Sequence, residues 1–86
     1  MEDKKYIDKI IGSLVRSTKI DYEKGIIFFP FSPSPISIHF SLFPSLLTPF
    51  YLSTYCKNTY GLTDKEIEYV FNQWREIILG KINNGE

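Results

Sequence analysis

The chain contains no alanine, and in 86 residues it has one cysteine, one histidine and one tryptophan. Each scarcity removes a class of protein. Cys56 alone cannot close an intramolecular disulfide, so no disulfide scaffold is expected and a reducing, cytoplasmic setting follows. One histidine and one cysteine leave a structural zinc site short of two ligands, which carboxylates from elsewhere would have to supply, so no metal centre is expected. The five glycines are scattered. They form neither a phosphate-binding loop nor a dinucleotide fingerprint, so no cofactor is expected either. A charge surplus is missing too: ten basic side chains balance ten acidic ones. That balance argues against a basic nucleic-acid clamp and against an acidic mimic of DNA. Met1-Glu2-Asp3-Lys4-Lys5 is charged, not apolar, and does not read as a secretory signal. The lack of alanine, with eight lysines to two arginines, fits an AT-rich genome: a low-GC bacterium, its phage or an organelle.

Charge is also absent locally. Residues 1–24 carry six basic and five acidic side chains, and residues 57–86 carry four and five. From Gly25 to Cys56 there is no Lys, Arg, Asp or Glu, and His39 is the one side chain there that ionises near neutrality. A membrane-spanning helix needs about 20 apolar residues without strong breakers. Pro30, Pro33, Pro35, Pro44 and Pro49 interrupt this stretch, with serines between them. It therefore reads as a sheet region and not as a span.

What is present describes a single small α+β domain over residues 1–86, in the order α-β-β-β-α-α: an N-terminal helix, a three-stranded antiparallel sheet and a C-terminal helix pair. Tyr6, Ile7, Ile10, Ile11, Leu14 and Val15 form a helical stripe over about Asp3 to Ser17. Gly12 lies near that stripe, where close packing on the sheet would explain it. Lys19–Tyr22, a turn at Glu23–Gly25 and Ile26–Phe31 make a hairpin. The second strand is apolar on both parities, with Ile26 and Phe28 on one face and Ile27, Phe29 and Phe31 on the other. Strict alternation over Ile36–Leu42 predicts a third strand with Ile36, Ile38, Phe40 and Leu42 turned to the core. Thr48-Pro49 predicts the start of a helix running to Tyr60, with Thr48 as cap and Leu52, Tyr55, Cys56 and Thr59 aligned on one side. Gly61 would end it. Thr63 with Glu66 forms a capping box, and Leu62 with Ile67 a hydrophobic staple, for a last helix reaching about Gly80. Its stripe is Ile67, Val70, Phe71, Trp74, Ile77, Ile78 and Ile82.

Catalytic constellations are poor. Ser37 and Ser41 flank His39, but neighbours two apart on a strand lie about 7 Å from one another, beyond hydrogen-bond reach. Cys56 falls inside a helix, where nothing lowers its pKa. No catalytic, cofactor-binding or metal-ligating residue is therefore assigned. The run Gly61-Leu62-Thr63-Asp64-Lys65-Glu66-Ile67 resembles the turn and second-helix start of helix-turn-helix proteins, over Ser53 to Phe71. It departs from that family at Lys57, where a small residue is usual. Its would-be recognition helix carries Asp64, Glu66, Glu68 and Glu76 against Lys65 and Arg75, a composition that phosphates repel. The order of helix, strands and helix is similar to that of double-stranded-RNA-binding domains. Neither C-terminal helix opens on a lysine cluster, however, and that reading is set aside.

The aromatic surplus carries the functional expectation. Nine Phe and Tyr side chains crowd residues 28–60, more than a domain this small can bury. If helices cover one sheet face, an aromatic strip stays open on the other. The candidate interaction surface is Phe29, Phe31, His39 and Phe43. The expected function is that of a small non-enzymatic interaction protein that binds a protein partner or forms a homo-oligomer. A phage or mobile-element accessory protein, with an inhibitor of a host system as one version, is the expected context. The alternative is a nucleic-acid-binding regulator built on the Gly61 turn.

Overall fold

The computed structural model describes residues 2–29 and 36–85. The fold is α+β in the expected order. Helix α1 spans Glu2–Ser17, strand β1 Lys19–Asp21, β2 Ile26–Phe29 and β3 Ile36–His39. A 3-10 turn at Phe43–Ser45 leads to α2, Phe50–Tyr60, and α3, Asp64–Asn83. The sheet is antiparallel in the order β1-β2-β3.

Local chemistry explains the hairpin. The Asp21 side chain accepts a hydrogen bond from the Lys24 amide at 3.0 Å, and its carbonyl accepts one from the Gly25 amide at 2.8 Å. Gly25 takes φ +70°, which a side chain would resist. Its carbonyl then receives the Phe40 amide at 2.8 Å, which extends the β2–β3 pairing by one step.

Register divides the sheet into two faces. Ile20, Ile27 and Ile38 lie opposite one another and face the helices. Lys19, Phe28 and Ser37 form one row of the other face, and Asp21, Ile26 and His39 the next. Ile27 is fully buried whereas Phe28 is 38% exposed, so the strand expected to be covered on both sides is covered on one. Phe31 and the side chain of Phe29 lie outside the described residues, and the outward aromatic on β2 is Phe28.

The helices supply most of the core. α1 contributes Ile7, Ile10, Ile11 and Leu14, and α3 contributes Ile67, Val70, Phe71, Trp74 and Ile78. Trp74 sits in the middle. Its indole N–H donates to the Thr18 hydroxyl at 2.8 Å, and that hydroxyl donates to the Leu14 carbonyl at 2.7 Å. A buried tryptophan needs such a partner, and here the partner ties α3 to the end of α1. Gly12 differs from expectation. A Cβ there would meet only Arg16, at 3.4 Å, and the groove it helps line, about 420 Å³, lies between α1 and α3, beside Gln73 and Ile77.

Both C-terminal helices end or begin as capping chemistry requires. Gly61 closes α2 at φ +69°, with its amide bonded to the carbonyls of Cys56 and Lys57. The Thr63 hydroxyl accepts from the Glu66 amide at 3.2 Å, and the Glu66 carboxylate accepts from the Thr63 amide at 2.8 Å. Leu62 and Ile67 are both buried, as a staple requires. α3 runs three residues past the expected Gly80, to Asn83. The expected Thr48 cap is absent: Pro49 holds the cap position and α2 has no side-chain cap bond.

Candidate interaction surface

The segment between β3 and α2 departs most from the alternation expected of it. Strand β3 stops at His39, and the chain turns, with the Leu42 amide on the His39 carbonyl and the Phe43 amide on the Phe40 carbonyl. The turn carries Leu42 outward, 62% exposed, and drives Phe43 inward, where it is fully buried. Phe43 meets Trp74 edge to face with ring centroids 5.3 Å apart. Of the proposed surface residues, Phe43 is therefore core. A 3-10 turn advances about a third of a revolution per residue, and that rotation replaces strand alternation here.

The same turn brings His39 onto Ser41. Nδ1 of His39 accepts from the Ser41 amide at 3.1 Å and lies 2.9 Å from the Ser41 hydroxyl. The expectation that these two residues are out of reach is corrected, because Ser41 is no longer on the strand. The pair is exposed and locks the ring against its own turn. None of the hydrogen bonds of the described residues joins this imidazole to a carboxylate that would orient it for catalysis. His39 keeps its expected place on the open sheet face, beside Ile26 and Asp21. The structure does not bring it together with Phe43.

Beyond the 3-10 turn, Leu47 is 82% exposed and Phe50 is 78% exposed. On α2, Leu52 and Cys56 are buried while Tyr51 and Tyr55 are exposed. At 100° per residue, Phe50, Thr54, Tyr51 and Tyr55 fall in an arc of about 140°, turned away from Leu52 and Cys56. Tyr55 and Thr59 were expected to share the inner side with Leu52 and Cys56; instead both are exposed. No Lys, Arg, Asp or Glu occurs from Leu42 through Tyr55. The outer face is therefore mostly apolar over the first two turns of α2 and polar at Lys57 and Asn58 on the next, and Leu42 and Leu47 are exposed in the segment before it.

This surface is held from beneath. Nη1 of Arg75 on α3 donates to the Leu46 carbonyl at 2.6 Å, and Nη2 donates to the Asn72 side-chain oxygen at 3.1 Å. The guanidinium also lies over the Phe71 ring, 5.4 Å from its centroid. A charged donor on a loop carbonyl is among the stronger hydrogen bonds a protein makes, and it fixes the backbone next to Leu47. At the other end of α2, the ring of Tyr60 meets those of Tyr55 and Tyr6 edge-on, at 5.8 and 6.0 Å. The Tyr60 hydroxyl is pushed up to about 12, first by its hydrogen bond with Tyr55 and then by burial.

Chemistry elsewhere is thin. Burial pushes the Cys56 thiol up to about 11, away from the thiolate form that acts as nucleophile. Among the described residues no three His, Cys, Asp or Glu side chains gather as a metal site. Among the same residues no helix is long and apolar enough to cross a membrane. At the α2–Gly61–α3 corner, where a helix-turn-helix resemblance was expected, α3 exposes Asp64, Glu68 and Glu76. Asp64 is also paired with Lys57 at 2.7 Å across the turn.

No family model matches this chain, and no curated protein or solved structure matches it. The functional reading therefore stands on the geometry.

The sequence contained the signal for this surface. Leu47, Phe50, Tyr51 and Tyr55 all lie in the charge-free stretch. The aromatic surplus drew attention to the strands, whereas Leu46-Leu47-Thr48-Pro49-Phe50-Tyr51 is equally apolar and lies where the chain leaves the sheet.

Proposed function

We propose that this chain is a non-enzymatic interaction protein that binds a protein partner, or itself, through the outer face of α2 and the loop before it. The observation that supports this is the exposure of Leu47, Phe50 and Leu42 on a segment with no charged side chain. Small monomers rarely keep large apolar side chains together in water without a use for them. Tyr51 and Tyr55 beside them are residue types enriched where proteins meet. A cytoplasmic accessory role in a phage or mobile element, including inhibition of a host system, fits the size and the AT-rich bias. The test is cross-linking and affinity capture in cells with the wild type and with a Leu47→Ser/Phe50→Ser double variant. A specific cross-linked product that the variant loses, with its circular dichroism unchanged, is expected. Equal capture by both proteins would remove the role given to this face. Salt-dependent retardation of DNA by the wild type would favour the regulator built on the Gly61 corner.

A further inference from the structure

We infer that the partner taken by the α2 face is a second copy of this chain, in a twofold-symmetric dimer. The inference rests on the functional reading above and narrows it to one occupant.

Charge is the first argument. In a twofold contact each surface meets itself, so a charged side chain near the axis faces its own like. The rest of the chain supplies ten basic and ten acidic side chains, yet Leu42 through Tyr55 has none. The formal net charge of zero removes long-range repulsion between copies. A surface meant for a different protein gains selectivity from charges set against that protein's own; here Lys57, two turns beyond Phe50 on the same side of α2, is already paired with Asp64 at 2.7 Å.

Area is the second. Leu42, Leu47, Phe50, Tyr51 and Tyr55 are between 44% and 82% exposed. Together they present on the order of 600 Å² per copy, against about 800 Å² per partner in a standard interface. Two copies would bury enough for a specific but reversible dimer.

Shape is the third. Thr54, half-buried, lies between Phe50 and Tyr51 on the outward arc of α2, and it is smaller than the three aromatic side chains there. A small residue at the centre lets two helices approach to about 8–10 Å, with the aromatic rings closing around the contact. The bond from Arg75 to the Leu46 carbonyl holds the adjoining loop in place before association, which reduces the ordering cost of binding.

Thr54 also supplies the test. Thr54→Lys and Thr54→Glu each place like charges across the axis of a homodimer, and an equal mixture of the two replaces repulsion with attraction. Analytical ultracentrifugation from about 1 µM to about 1 mM should show a reversible wild-type dimer. Each variant alone should have a dissociation constant at least tenfold higher with unchanged circular dichroism, and the mixture should recover the dimer. Phe50→Ser should weaken the dimer by a similar factor without relying on position 54. A wild type that stays monomeric throughout overturns the inference, as do Thr54 variants that fold and dimerise like the wild type. If the wild type is monomeric but still captures a different protein through Leu47 and Phe50, the dimer is wrong and the interaction reading stands. Loss of both results removes both.

Discussion

Helices α2 and α3 are neighbours in the chain, built by the same rules to opposite ends. α3 buries Ile67, Val70, Phe71, Trp74 and Ile78 on one side and shows Asp64, Lys65, Glu68 and Glu76 on the other. It begins with a complete capping box and an acidic first turn. α2 buries only Leu52 and Cys56, begins at Pro49 without a side-chain cap, and turns Phe50, Tyr51 and Tyr55 to solvent. Of the large apolar side chains on α3 only Tyr69 and Ile77 are exposed, at 43% and 41%. α2 holds more apolar surface than the chain covers. The difference separates the helix that makes the fold from the helix that the fold presents.

Four perturbations break or sharpen that contrast. The largest is Trp74→Ala, which removes the centre of the core and its bond to Thr18. It should cost about 3–5 kcal/mol, enough to unfold so small a protein, as read by chemical denaturation. The next is alkaline pH, which acts on α2. Cys56 is raised from 9.0 to about 11 by burial, and Tyr60 from 10.0 to about 12 by its bond with Tyr55 and then burial. Both groups hold their protons more tightly when folded. Their stabilising effect is therefore complete below pH 9 and lost as pH climbs toward 12. The thiol contributes to this loss, and Cys56→Ala should remove its part of a pH-dependent melting profile. Third, Thr63→Ala should cost about 1 kcal/mol, while Thr48→Ala should stay within about 0.5 kcal/mol, because only Thr63 caps a helix. Equal losses in a denaturant series would mean that the two helix starts are alike after all. The smallest effect is Phe50→Ser, with a stability change within about 0.5 kcal/mol because the ring is already in water. A large loss would make Phe50 part of the core.

The sequence was most readable where one local rule governs. Thr63, Glu66, Leu62 and Ile67 specify the start of α3 among themselves, and Gly61 specifies the end of α2. Burial along α1 and α3 follows their stripes, except that Tyr6 on α1 and Ile77 on α3 are exposed. Legibility failed where two rules compete. The alternation from Ile36 to Leu42 suggests a strand of seven residues, but β3 ends at His39 and a turn takes over. That exchange moved Leu42 out, Phe43 in, and Ser41 onto His39. On β2, both parities are equally apolar, so pattern alone does not say which faces the helices. Register decides it by placing Ile27 between Ile20 and Ile38. The exposed apolar side chains of α2 and the loop before it were legible only as an excess of aromatics without charge. Their position was not, since it depends on which side of α2 the core takes.

Trp74 is the one tryptophan in the chain, and its place gives the protein a built-in division of optical signals. The indole is buried between Phe43 and Phe71 and bonded to Thr18, so its emission reports the state of the core. Tyr51 and Tyr55 stand on the opposite, outward side of the neighbouring helix. An event confined to the α2 face changes tyrosine absorbance and leaves the indole emission maximum where it was. Unfolding moves both. Two wavelengths on an unlabelled sample thus distinguish association from loss of structure.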